Sequence, residues 1–106
     1  MPNRIRNHRQ SAFLYQAHQC FYCGCPMWED EPEKFAERHG LPLELARLAR
    51  CTAEHVQAKC DDGTNARVNI VAACQHCNQT RHQTPEPLDS IQYRKFVRDN
   101  VKHSRW

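Results

Sequence analysis

Residues 68–82 read VNIVAACQHCNQTRH, and this stretch decides the fold. Val68 to Ala72 is rich in β-branched apolar residues and reads as a strand, while Cys74 to His82 has neither Pro nor Gly and reads as a helix. At their junction stands Cys74-Gln-His-Cys77, a pair spaced so that one turn can aim two thiolates at a single ion. Upstream, Thr52 to Lys59 can extend as an earlier strand, and Asp61-Asp62-Gly63-Thr64-Asn65 between them is dense in turn formers. The order is strand, loop, strand, helix.

A second pair of the same spacing, Cys20-Phe-Tyr-Cys23, completes a tetrahedral set of four thiolates, Cys20, Cys23, Cys74 and Cys77, suited to structural zinc. Fifty residues separate Cys23 from Cys74, far more than the ~15–20 of a compact zinc ribbon, so an insert must leave the site and return to it. Residues 29–50 supply it. Pro32 suits a first helical position, Gly40 a helix stop, and Pro42 the opening of a second short helix carrying Leu45, Leu48 and Ala49. This helical hairpin holds Glu29, Asp30, Glu31, Glu33 and Glu37, which would repel phosphate, so it is expected to be structural rather than a DNA-reading helix-turn-helix. Ser11 to His18 reads as a helix capped by Ser11, and residues 88–104 as a final basic helix with Tyr93, Phe96, Val97 and Val101 apolar and Arg94, Arg98 and Lys102 along one face.

At 106 residues and 12.5 kDa the chain is long enough for one domain, with little hydrophobic stabilisation to spare. Seven cysteines, an odd number, together with a basic start MPNRIRNHRQ that no apolar run follows, argue against a secreted disulfide framework and for reduced thiols in the cytoplasm. Cys25 could compete with Cys23 for the ion, and Cys51 and Cys60 are expected to be small buried hydrophobes. The apolar runs are far shorter than the ~20 residues of a membrane helix, so a soluble protein with no membrane partner is expected. The formal charge of +3 is modest, but the acids concentrate in residues 29–46 and leave both ends and the stretch from Arg47 to Arg81 basic, a pattern compatible with nucleic acid lying across the rest.

Between and overlapping the cysteine pairs run Glu54-His55-Val56, Asn69-Ile70-Val71 and Cys77-Asn78-Gln-Thr-Arg81-His82. In this combination the chain resembles the HNH endonucleases, the ββα-metal (His-metal finger) nucleases, in the branch tied by two Cys-x2-Cys units. The resemblance covers residues 20–28 and 52–82 and leaves the helical insert and the C-terminal helix outside it. It implies a small zinc-stabilised α+β domain, 1–106, whose ββα-metal core spans residues 52–82 and is flanked by an N-terminal helix, the hairpin insert and the C-terminal helix. It makes Glu54 a metal ligand, His55 the general base, Asn69 a brace for loop and base, and Asn78 the second metal ligand. Glu54 stands where the family usually has Asp, and Asn78 where the name-giving pattern has His.

Phosphodiester hydrolysis needs a base for water and a cation against the charge that builds on phosphorus and the leaving oxygen. Histidine, which changes charge near neutrality, can be that base. Adjacent strand residues point to opposite faces, so Glu54 and His55 meet one ion only through a twist at the strand end or a sideways approach of the carboxylate. Asn78 and His82 are i and i+4 on a helix, which makes His82 a possible third ligand. Oxygen ligands and water suit Mg²⁺ or Mn²⁺, and adding His82 tilts the preference toward Mn²⁺, Ni²⁺ or Zn²⁺. Phosphate contacts would come from Arg81, Arg67 and the Arg94, Arg98, Lys102 face. The resemblance implies metal-dependent nicking or cutting of double-stranded DNA, without a small-molecule cofactor, by a bacterial or phage-encoded protein. The alternatives are a catalytically silent zinc module that binds nucleic acid, and a protein-interaction domain working through the acidic hairpin.

Overall fold

Cysteine-rich loops and short elements leave this chain few ways to build a core, and among the described residues it builds two. The structure is a computed structural model and describes residues 4–56, 69–104 and 106. Arg67, Cys60, the 61–65 turn, Val68 and the far end of the first expected strand lie outside the described residues. The elements are α1 (Arg4–Tyr15), α2 (Pro32–His39), α3 (Leu43–Arg47), β1 (Cys51–His55), β2 (Ile70–Cys74), α4 (Gln75–His82) and α5 (Ser90–Lys102).

β1 and β2 pair antiparallel with Cys51 opposite Cys74, Glu54 opposite Val71 and His55 opposite Ile70, and α4 follows β2 directly and packs on both strands. The strand, strand, helix order is as expected. The outer edge of β2 is covered by a side chain: Gln16 Nε2 donates to Ala72 O at 2.9 Å, and Ala72 N–H donates to Gln16 Oε1 at 3.0 Å. α1 begins at Arg4, so Ser11 lies inside the helix and does not cap it. The polar run from Arg4 to Gln10 carries no apolar period that would reveal the start. The helix ends at Tyr15, and Ala17 and His18 follow in the left-handed region, at φ 55° and 67°.

The insert lies where its Pro and Gly place it. Pro32 opens α2, and Gly40 closes it at φ 62°, with Leu41 N–H donating to Ala36 O at 2.8 Å and Gly40 N–H to Glu37 O at 3.3 Å, the Schellman pattern. Phe35, Ala36 and Ala46 make a small core of their own against Trp28 and Ala49, and the Trp28 indole N–H donates to Ala46 O at 2.7 Å. The hairpin leaves and returns through a parallel bridge between Trp28 and Arg50, with Cys51 N–H donating to Trp28 O at 2.8 Å. The larger core gathers Phe13, Tyr22, Met27, Cys51, Ala72, Ala73, Tyr93 and Val97 around the four paired cysteines. On α5 only Tyr93 and Val97 are buried among the expected apolar positions, because a helix lying on a surface buries one i, i+4 stripe; Phe96 and Val101 face outward. Among the described residues no helix is long and apolar enough to cross a membrane.

Candidate metal centres

The first centre forms where the loop after α1 meets the junction of β2 and α4. Cys20, Cys23, Cys74 and Cys77 are all buried, and their sulfurs lie within 4.8 Å of one another. An ion with four sulfurs at ~2.3 Å in a tetrahedron holds them about 3.8 Å apart. Cys23 Sγ and Cys74 Sγ stand 3.9 Å apart, which is that spacing and nearly twice the ~2.05 Å of a disulfide. Backbone N–H groups aim at the sulfurs: Tyr22 and Cys74 donate to Cys20 Sγ at 3.3 Å, and Cys77 donates to Cys74 Sγ at 3.4 Å. The indole of Trp106 donates to Cys77 Sγ at 3.3 Å. Donors of this kind offset the charge of metal-bound thiolates and fix their direction.

The proton chemistry of the cluster points the same way. Hydrogen bonds from Cys23, Cys74 and Cys77 hold the Cys20 thiol far below its ordinary pKa, and their interaction with Cys20 pushes Cys23 and Cys77 far above theirs. One thiolate thus suppresses the next, and a divalent cation is what allows all four to ionise together. The four residues could hold a metal, and an all-sulfur tetrahedron fits zinc. The surplus thiols stand apart. Burial leaves Cys51 2% exposed and pushes its pKa up to about 12, in keeping with a small hydrophobe. Cys25 is exposed and raised to about 11, mainly by desolvation, and lies outside the four-sulfur group.

A second cluster of polar side chains lies on the seam of β1 and α4. Glu54 is only 1% exposed, a carboxylate inside the protein. Its Oε2 accepts hydrogen bonds from the Tyr22 hydroxyl at 2.9 Å and Arg81 Nη1 at 3.1 Å, while its Oε1 lies 2.9 Å from Nε2 of His82, whose side chain is 38% exposed. The carboxylate is therefore satisfied on its inner side and open to solvent only past His82. Asn78 sits one turn before His82 on α4, and its amide nitrogen donates to Thr52 Oγ1 at 3.0 Å and Ala53 O at 3.2 Å, tying the helix to β1. A ligand role there would fall to Oδ1. His55, half-buried, ends β1; its carbonyl accepts from Arg81 Nη1 at 3.2 Å, and the next residue, Val56, donates its N–H to Asn69 O at 2.9 Å. Glu54, His55, Asn69, Asn78 and His82 thus belong to three adjoining segments, and Glu54 meets His82 directly.

Of the residues expected on phosphate, Arg81 is turned inward. Arg81 is 4% exposed and spends its guanidinium on Glu54, Tyr22, His55 and the Leu88 carbonyl, so it cannot reach a DNA backbone from this position. A basic residue three positions after Asn78 faces inward because a buried carboxylate needs a buried partner. Arg98 donates through Nε to Tyr22 O and packs on Gly24, and Arg94 stacks on the Phe21 ring 4.7 Å from its centroid. Both clamp the first cysteine loop, although both keep an exposed side. Of that stripe Lys102 points to solvent, and Arg67 lies outside the described residues. Tyr22 and Trp106 escape a reading of the sequence, since their partners are Glu54 and Cys77, 32 and 29 residues away. No family model, curated protein or solved structure matches the chain.

Proposed function

We propose that this protein is a metal-dependent DNA endonuclease of the ββα-metal type, with a structural zinc at the four cysteines and a single Mg²⁺ or Mn²⁺ at the Glu54 and His82 seam. The observation that carries the reading is the 2.9 Å between Glu54 Oε1 and His82 Nε2. Two neighbouring ligands of an octahedral ion at ~2.1 Å stand about 3.0 Å apart, so the pair already has the spacing of cis ligands. Asn78, one helical turn away, would offer its amide oxygen as a further ligand, its amide nitrogen being held by Thr52 and Ala53. A cation there supplies positive charge against the developing charge on the phosphorane and the leaving 3′-oxygen.

The protein's own groups do the rest. His55 would accept a proton from water as its oxygen attacks phosphorus; the bond to the 3′-oxygen breaks, and the departing oxygen takes a proton from solvent, leaving 5′-phosphate and 3′-hydroxyl ends. Asn69, bonded through its carbonyl to Val56, closes the loop beside the base. A second reading, a silent zinc module that binds nucleic acid, is favoured by one fact: the guanidinium of Arg81 already neutralises the carboxylate that a cation would use.

Supercoiled plasmid incubated with zinc-loaded protein in Mg²⁺ or Mn²⁺ decides between them. The expected result is nicked or linear product, lost by at least 100-fold in His55→Ala and without metal. Equal cleavage by His55→Ala marks a contaminant, and binding without cleavage in every metal leaves the silent module.

A further inference from the structure

We infer that Tyr22 is a positioning residue for the cation site, acting through Glu54 and thereby coupling the orientation of that carboxylate to the four-cysteine knot. The inference rests on the nuclease reading for the identity of the cation. Its structural basis is a side chain 0% exposed whose hydroxyl donates to Glu54 Oε2 at 2.9 Å and accepts from Arg81 Nη1 at 3.3 Å.

Tyr22 has little freedom of its own. It lies between two cysteines of the knot, its N–H donates to Cys20 Sγ at 3.3 Å, and Arg98 holds its carbonyl. Its ring meets Tyr93 edge-on with centroids 4.7 Å apart, and the Tyr93 hydroxyl donates to Cys77 O at 2.7 Å. The hydroxyl is thus located by both cysteine pairs.

Glu54 needs such a holder. Glutamate has one more rotatable bond than aspartate, and Arg81 alone would not settle its orientation, because a guanidinium prefers to bind a carboxylate through two parallel hydrogen bonds. That arrangement would draw both oxygens inward. Here Arg81 reaches Glu54 through Nη1 and Oε2 only, with the Tyr22 hydroxyl beside it on the same oxygen, and Oε1 is left for His82. With Arg81 Nε donating to Leu88 O, the guanidinium is already turned from a fork, and the Tyr22 hydroxyl adds a second donor on Oε2 that holds this oxygen inward and leaves Oε1 toward His82.

The test is Mn²⁺ binding to the zinc-loaded full chain, read from the electron paramagnetic resonance signal of free aqueous Mn²⁺, for wild type, Glu54→Gln and Tyr22→Phe. Phenylalanine keeps the ring and its contact with Tyr93 and removes only the hydroxyl. Zinc content and circular dichroism should be unchanged, Mn²⁺ affinity should fall about 10-fold, and cleavage at saturating Mn²⁺ should recover toward the wild-type rate. Wild-type Mn²⁺ affinity in Tyr22→Phe overturns the positioning role and leaves the nuclease reading standing. Loss of zinc from Tyr22→Phe also overturns it, since the hydroxyl would then serve the knot. Absence of Mn²⁺ binding to wild type, or undiminished binding to Glu54→Gln, removes the cation site and the inference with it.

Discussion

The two places where ligand-type side chains converge are built on opposite principles. At the cysteine knot four buried sulfurs face one another, ringed by N–H donors, with every direction filled by protein. At the seam of β1 and α4 one carboxylate is buried and held on its inner oxygen, and its outer oxygen meets a histidine that reaches solvent. A closed tetrahedron holds a fold together, whereas an incomplete shell leaves room for water and substrate. What joins them is Tyr22, which belongs to the first cysteine pair by sequence and to Glu54 by hydrogen bond.

That contrast is most exposed to refutation at the knot. Zinc bound at four thiolates contributes on the order of 10–16 kcal/mol to folding in small domains. Cys74→Ser, or chelation at neutral pH, should therefore abolish the cooperative melting transition followed by circular dichroism; an unchanged melt would deny the knot its role. Glu54→Ala should cost less, about 3–5 kcal/mol in urea unfolding with zinc retained, because it leaves the buried Arg81 guanidinium without its partner. A cost below ~1 kcal/mol would mean that the seam is solvated and loosely held. The smallest effect is at Cys51. Its raised pKa keeps it a neutral thiol at pH 8, so iodoacetamide should label it at least 10-fold more slowly in the native protein than in urea, with the native rate rising only as pH approaches about 12. Equal rates, read by peptide mass mapping, would place Cys51 outside the core.

The knot, the hairpin and the strand, strand, helix order were legible because their signals are local. Two cysteines three apart, a Pro that opens a helix and a Gly that closes one need no distant partner to be read. The seam was legible in part. Glu54 and Asn78 were named through the family resemblance and His82 through its i, i+4 spacing from Asn78, but nothing within a few residues of Arg81 says that it turns inward. Helical period tells which residues share a face and not what that face meets; the contacts of the exposed Arg94 and Arg98 with Phe21 and the Tyr22 carbonyl could not be read from it. The start of α1 was hidden for the same reason, since its polar first turns are held by tertiary contacts such as the 3.1 Å ion pair of Arg9 with Glu29.

Gln16 carries a consequence for the behaviour of the chain at high concentration. A sheet of two strands has two rims, and on β2 the amide of this one side chain fills both hydrogen-bonding groups of Ala72 as a neighbouring strand would. Were leucine placed there, the Ala72 N–H would lose its partner while the Phe21 N–H still held the carbonyl, so one rung of the rim would open to a strand from another molecule and the substitution would be felt first as polymerisation.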